Sequence, residues 1–398
     1  MLEVFIPCPG LGQVRRGFES FTQECFEALS QEDALDVTLF KGGGDSLSRD
    51  ITLWNLPRKS WMAIQLGKLI GSLTGKGGEP GKIIGREKRE ENLAYLVEQL
   101  SFFLNFLPYV IRDKPDVIYF SDVNLGSILW YWRRLTKQRY KLLFSNGAPL
   151  PPPFPRWDHV QQLVPAYLQL AVKAGVPVEK QSLVPYGISI PPQLQLLPPS
   201  EREALRRRRG LPEKQPLLLC VAAINKSHKR MDYVIREVAI IPEPRPYLLL
   251  LGQQDFESPE ILQLGNQLLG SSNFQVRTVA QHEVADYYKI ADAFVLGSLS
   301  EGFGRVLIEA MSYGLPCLAH DYETTRFVLR QEGYLANFEL PGSLGGLISQ
   351  VLAEGHQPSR CHLRHRSVYE RFSWQQLRPA YVDMIQRCVA SPDTAQLL

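Results

Sequence analysis

The chain reads as an α/β protein built from two doubly wound domains. Short apolar runs alternate with helix-period segments along its length, and the alternation breaks in a proline-rich stretch and then restarts. At 398 residues the chain also exceeds what one ordinary core accommodates. Near-continuous apolar strands separated by helices are the pattern of a parallel sheet covered on both faces.

In the first half the strands are Leu2–Ile6, Val37–Phe40, Asp116–Phe120 and Lys141–Phe144, with a helix over Glu19–Leu29. The most apolar stretch, Leu93–Ile111, carries Glu98, Gln99, Asn105 and Pro108. It is too polar for a membrane span and reads as an amphipathic helix. Between Leu183 and Pro199 the prolines 185, 191, 192, 198 and 199 break regular structure, which puts the domain boundary there: 1–188 and 189–375. The second half runs strand Leu217–Ala222, helix Asp232–Ile240, strand Tyr247–Leu251, helix Pro259–Leu269 and strand Phe274–Val279. Strand Ala293–Leu296, helix Arg305–Tyr313 and strand Pro316–Ala319 follow.

A net charge of +3 and a pI near 8.4 suit an anionic ligand or a membrane surface and fall short of a nucleic-acid footprint. The six cysteines are scattered, with no C-x-x-C pair and no His at metal spacing, so reduced thiols are expected. Met1–Gly10 reads as a strand and lacks the basic start of a signal peptide, so the expected location is the cytoplasm. Residues 58–89 carry eight Lys/Arg against two Glu around Gly75, Gly77, Gly78 and Gly81, as an inserted helix and mobile loop would. Trp61, Ile64, Leu69 and Leu73 with Lys68 and Lys76 form either a basic amphipathic face for a membrane or anionic acceptor, or a core-packed helix with a solvated charged side. Arg206–Arg209, just before Gly210, reads as a capped helix end.

The residues that carry chemistry begin at Ser300-Glu301-Gly302-Phe303-Gly304-Arg305-Val306-Leu307-Ile308-Glu309. After a buried strand, Gly302 and Gly304 permit a tight turn, and the helix they open has unpaired N–H groups able to hold a phosphate. Glu301 lies before the turn, where it can accept from sugar hydroxyls, and Glu309 lies two turns into the helix, where it can reach a ribose diol. Alone, such a turn is as often mere strand-turn-helix geometry. The run Glu301-x7-Glu309, however, resembles the E-x7-E motif of glycosyltransferase family 4, retaining enzymes of the GT-B fold. Ala291–Leu296 with Ser298 is similar to the family's lead-in, and Ala310–Pro316 to its exit, so the likeness covers most of the chain. It implies that Glu301 contacts the donor sugar, the amides of Phe303, Gly304, Val306 and Leu307 the sugar and diphosphate, and Glu309 the ribose.

Lys229-Arg230-Met231-Asp232-Tyr233 resembles the family's K-G-x-D-x-L segment, which implies that Lys229 binds the diphosphate. A cation there stabilises charge that grows on the leaving phosphate. The arginine that partners this lysine in the family falls on Ala223 or Ile224, leaving Lys226, His228 or Arg230 to substitute, Lys226 first. Gly12–Glu19 stands where the family has a glycine-rich loop facing the donor; Gly17 matches and Arg16 replaces the other common glycine, as a phosphate or acceptor contact or as a surface ion pair. Asn146 occupies the place of a histidine near the donor sugar and cannot titrate. Val279, within Gln275–Gln281, is placed beside the base through main-chain groups. Asp158 and His159 are expected to be structural, and Pro185–Ser189 corresponds to a family linker with Tyr186 and Ser189 as departures. Phe372-Ser373-Trp374 resembles the start of the family's terminal helix, implying that 376–398 crosses back onto the first domain.

These readings combine into a GT-B protein whose two Rossmann-like doubly wound domains face an interdomain cleft. The implied activity is retaining transfer of a sugar, a hexose first, from a UDP- or GDP-sugar to a glycan, lipid-linked or small-molecule acceptor. No cofactor beyond the nucleotide-sugar substrate is implied, and no acidic pair of D-x-D type stands where a metal would meet the diphosphate, so no metal is expected. A catalytically silent GT-B partner subunit and a nucleotide-sugar epimerase are the alternatives. The location is cytoplasmic, with peripheral contact at the inner face of a membrane through 58–89 left open.

Overall fold

A computed structural model describes residues 1–14, 17–45, 49–73 and 83–392. The chain divides into two units, Met1–Gly187 with Leu377–Leu398, and Ile188–Gln376. In the first unit the elements are β1 (Leu2–Cys8), α1 (Gly17–Leu29), β2 (Leu35–Lys41), β3 (Asp50–Thr52), α2 (Trp61–Leu73), α3 (Ile83–Asp113), β4 (Val117–Phe120), α4 (Val123–Thr136), β5 (Lys141–Ser145), β6 (His159–Gln162), α5 (Pro165–Lys173) and β7 (Gln181–Leu183). Its seven strands pair in parallel in the order β3-β2-β1-β4-β5-β6-β7.

The second unit contains α6 (Pro199–Arg208), β8 (Leu217–Val221), α7 (Met231–Ala239), β9 (Tyr247–Leu251), α8 (Ser258–Leu268), β10 (Phe274–Arg277), α9 (Val284–Ile290), β11 (Ala293–Leu296), α10 (Arg305–Ser312), β12 (Cys317–His320), α11 (Glu323–Leu329), β13 (Tyr334–Ala336), α12 (Ser343–Glu354) and α13 (Pro358–Phe372). Its sheet is parallel with order β10-β9-β8-β11-β12-β13. Parallel neighbours need a crossover, and helices supply most of them in both units, the short β2–β3 link being an exception. The last helix, α14 (Trp374–Ala390), starts in the second unit and from Leu377 onward belongs to the first.

Aromatic packing covers one face of the first sheet, where Phe5, Phe40 and Phe144 meet Phe102 and Phe106 of α3 and Leu125 and Leu129 of α4. On the other side Phe21 of α1 stacks on Tyr186 with ring centroids 3.7 Å apart, and Tyr381 of α14 lies 6.5 Å away. Tyr186 therefore fills a packing position where the family linker carries Asn. Asp158 is fully buried, pairs with Arg133 and accepts from the Leu142 amide at 2.8 Å. Its neighbour His159 bonds Ser182 at 2.8 Å. Arg206 lies in the last turn of α6, the helix end expected before Gly210. It is buried, donating to the Ile290 carbonyl at 2.6 Å and to Asp292 at 2.7 Å, so a fork of donors satisfies groups that would otherwise be orphaned.

Candidate functional site

In the second sheet the strand order reverses between β8 and β11, and a crevice opens at the carboxyl ends of two such strands. The loops that leave those ends are 222–230 and 297–304. Gly297 lets them approach: a Cβ there would lie 2.7 Å from Val234 Cγ2 and 3.0 and 3.1 Å from the carbonyl oxygens of Lys229 and Arg230. The first loop is organised by Asn225, whose Oδ1 accepts from the Lys229 amide at 2.9 Å while its carbonyl accepts from Met231 at 3.1 Å. Glu257 accepts from the amides of Lys226 and Ser227 at 2.7 and 2.9 Å.

That scaffold aims Lys229 at Glu301. Lys229 Nζ donates to Glu301 Oε1 at 2.5 Å, and Ser298 Oγ donates to the same oxygen at 2.6 Å. The two charged side chains are only 17% and 12% exposed, so they attract each other in a medium far less screening than water. Tyr322, just past β12, fixes the backbone of Glu301: its hydroxyl accepts from the Glu301 amide at 2.5 Å and donates to the Glu301 carbonyl at 3.2 Å.

Gly302, Phe303 and Gly304 make the turn into α10. Gly304 has φ +76°, the left-handed region that other residues reach only at a cost, and it caps the helix. Phe303 is buried edge-on against Phe372 with centroids 5.7 Å apart, which anchors the turn to α13. In the first turn of α10 the Leu307 amide donates to the Gly304 carbonyl at 2.9 Å, and this helix start carries the partial positive charge that favours an anion. Glu309 on α10 accepts from the Tyr288 hydroxyl at 3.1 Å and lies 3.9 Å from Arg305. Burial, then the neighbouring Glu309 carboxylate, pushes the Tyr288 phenol well above its usual range, so it remains a donor. Val279 is half-buried just past the end of β10.

The other candidates differ. Of the two positions where the family's arginine falls, Ala223 is half-buried and Ile224 fully buried. Lys226 is exposed and pairs with Glu260 of α8. Arg230 holds the carbonyl of Phe338 at 3.1 Å and lies over the Tyr233 ring at 4.3 Å. In the first unit Gly17 opens α1, while the Asn146 carboxamide is engaged at both ends, donating to Gln162 at 3.0 Å and accepting from the Leu150 amide at 2.8 Å. Arg16 lies outside the described residues. Sequence reasoning did not single out Asn225, Ser298, Tyr288 or Tyr322 as site residues. Ser298 had been read only as lead-in, and Tyr322 is distant in sequence from the motif it supports.

Residues 201–367 match the family model described as glycosyl transferases group 1. A D-inositol 3-phosphate glycosyltransferase of Xylanimonas cellulosilytica is 26% identical over 217 residues, which is 53% of this chain and 52% of that protein. One from Streptosporangium roseum is 30% identical over 213 residues, 46% of this chain and 43% of that protein. The chain spans about half the length of the curated relatives it matches. Among solved structures, a sucrose-phosphate synthase from Thermosynechococcus elongatus superposes with TM-score 0.72 at 18% identity, over 98% of this chain and 100% of that one. Anabaena HepE in complex with UDP-glucose gives 0.69 at 14% identity, over 97% and 100%. These likenesses show the fold: two parallel sheets with alternating helices, of the GT-B kind.

Proposed function

We propose that the protein is a retaining glycosyltransferase of family 4 that moves a hexose from a UDP- or GDP-sugar to a glycan, lipid-linked or small-molecule acceptor. The observation that carries this is the Lys229–Glu301 pair, 2.5 Å apart at the switch point of the second sheet and next to the glycine-capped start of α10. In this reading Glu301 and the Phe303–Leu307 amides hold the donor sugar, Lys229 and α10 the diphosphate, and Glu309 the ribose. Lys229 then gives up its contact with Glu301 to a phosphate oxygen and stabilises the negative charge that builds as the glycosidic bond breaks. The acceptor attacks from the face the diphosphate leaves, and a phosphate oxygen takes its proton, so the protein positions groups and supplies charge.

Val279 and Gly17 belong to the donor site in this proposal, and Asn146 orders the loop beside it. Arg230 or Arg16 supplies the second phosphate cation, ahead of Lys226, whose ammonium is already balanced by Glu260. No metal is required, because the carboxylate at the site is paired with a lysine and not with a second acid. A chelator should therefore leave turnover unchanged, and its loss on chelation would overturn this point. We place the chain in the cytoplasm; residues 58–89, of which 74–82 lie outside the described residues, are its candidate contact with the inner face of a membrane.

Release of nucleoside diphosphate from a panel of nucleotide sugars, without acceptor, tests the activity. Release that depends on Lys229 supports transfer. Binding of a nucleotide sugar with no release would favour the silent partner subunit, to which Ala223 or Ile224 in place of the family's arginine points.

A further inference from the structure

Arg230 holds a backbone conformation that a side chain disfavours. It stands where the resembled K-G-x-D-x-L segment has glycine, and its φ is +50°, in the left-handed region. Such strain persists only where the surroundings fix it. Here the guanidinium lies over the Tyr233 ring at 4.3 Å, while Nη1 donates to the Phe338 carbonyl at 3.1 Å and comes within 3.5 Å of the Gly297 carbonyl. Arg230 thus ties its own loop, 222–230, both to the loop that begins at Gly297 and to the segment 337–342 that follows β13.

That third segment is gripped from two sides. On one side Arg230, Tyr233 and Glu237 stand three and four positions apart, which aligns them along one face of α7. The Tyr233 hydroxyl bonds Ser343 Oγ at 3.1 Å, and the buried Glu237 carboxylate accepts from the amides of Gly342 and Gly345 at 2.8 and 2.9 Å. On the other side is His320, the last residue of β12. Its Nδ1 accepts from the Phe338 amide at 3.0 Å, and its ring stacks on Tyr322 with centroids 5.9 Å apart. Tyr322 in turn holds both main-chain groups of Glu301. The backbone of the fully buried Phe338 therefore joins Arg230, which follows Lys229, to the residues that fix Glu301.

This joint does not use the Lys229–Glu301 ion pair. In the proposed reaction that pair opens when Lys229 turns to the phosphate, so it cannot keep the two loops in register during transfer. Contacts that involve neither charged group can. We infer that His320 and Arg230 are positioning residues: by clamping Phe338 they hold the backbones of Lys229 and Glu301 in register while the two side chains exchange each other for the donor. Arg230 does this through Nη1, so the phosphate contact proposed for it falls to Nη2. The inference rests on the function proposed above, but the clamp is measurable without a donor.

Amide hydrogen exchange of the full chain, followed by mass spectrometry over 222–231, 297–304 and 336–340, tests it. His320→Gln removes the acceptor from the Nδ1 position, whereas His320→Asn keeps a side-chain oxygen close to it. H320Q should exchange about fivefold faster than the wild type in all three segments, and H320N should match the wild type. Unchanged exchange in β9 and α8 checks that both variants fold. On the same samples kcat/KM for nucleoside diphosphate release should fall about fivefold in H320Q and return in H320N. Faster exchange confined to 336–340 would make His320 a local structural residue, and equal behaviour of the two variants would show that the Nδ1 contact is not used; either result overturns the proposal. Should H320Q not fold, Arg230→Ala frees the Phe338 carbonyl instead and should quicken the same three segments, and unchanged exchange at 297–304 would overturn the clamp. Wild-type release of nucleoside diphosphate separates the two failures. Its absence overturns the functional reading, whereas a wrong exchange pattern in an active protein overturns the clamp alone.

Discussion

Both units place a strand-order reversal at the centre of a parallel sheet, between β1 and β4 in one and between β8 and β11 in the other, yet the side chains nearest the two reversals differ. In the second unit the reversal holds Lys229 and Glu301, a cation and a carboxylate at 2.5 Å. In the first, a small cavity beside the ends of β1 and β4 is lined by Ile6, Pro7, Phe21, Cys25, Tyr119 and Phe120, among others, with no charged side chain, and Glu19 and Arg58 come together only farther on, at Gly10. Burial pushes both the Cys25 thiol and the Tyr119 phenol well above their usual ranges, so both stay neutral. The contrast teaches that topology locates a crevice and side chains decide what it holds. A diphosphate suits a cation beside a helix start, and the second unit brings Lys229 next to the start of α10.

The sharpest way to break this comparison is Lys229→Ala. Removing a cation aimed at a leaving group typically costs about 10²–10³ in rate, so kcat for nucleoside diphosphate release should fall by that order. A loss of less than about threefold would remove the asymmetry between the two crevices.

Acid should act first on the other unit. Burial, then Arg387 of α14, lowers the His159 imidazole to about 4 from an ordinary 6.5. Above pH 6.5 the group is neutral folded and unfolded and contributes no pH dependence. As pH falls below 6.5 the unfolded chain takes up a proton that the folded one refuses until about 4, so stability declines by about 1.4 kcal/mol per pH unit in that window. Denaturant midpoints at several pH values should show this slope, and His159→Gln should flatten it.

Tyr322→Phe tests a smaller effect. The hydroxyl fixes the backbone of Glu301, so its loss should cost about 1 kcal/mol, or about fivefold in kcat/KM for the nucleotide sugar. Affinity for the nucleoside diphosphate alone should not change, because Glu301 is assigned to the sugar. An equal loss of both would make Tyr322 a general structural residue. The smallest change is expected for Lys226→Ala. Its ammonium is exposed and already balanced by Glu260, so donor Kd should weaken by less than about 1 kcal/mol. A larger loss would make Lys226 the missing phosphate cation.

Much of this was legible in the sequence because it is written in local patterns. The apolar runs located β1, β2, β4, β5, β8, β9, β10, β11 and β12, and the Glu301–Glu309 spacing placed two carboxylates on either side of one helix start. Short strands such as β3 and β7 were missed, since three residues carry too little periodicity to register. The helix end at Arg206–Arg209 was legible, but the burial of Arg206 was not, because its partners, Ile290 and Asp292, lie more than eighty positions away. Tyr322 escaped for the same reason: its hydroxyl reaches back to Glu301 only because β11 and β12 are neighbours in the sheet. The sequence also could not reveal that both ends of the Asn146 carboxamide are engaged, because Gln162 and Leu150 come to it only through the β5–β6 pairing and the loop that follows β5.

The central claim is that Lys229, Glu301 and the start of α10 hold an activated sugar, and thermal unfolding of the wild type and K229A across UDP- and GDP-sugars measures this most directly. At a ligand concentration of about 100 Kd, binding adds about 2.7 kcal/mol to stability, so one donor should raise the wild-type Tm by several degrees and leave K229A nearly unmoved. A panel that shifts neither protein, or shifts both equally, would contradict it.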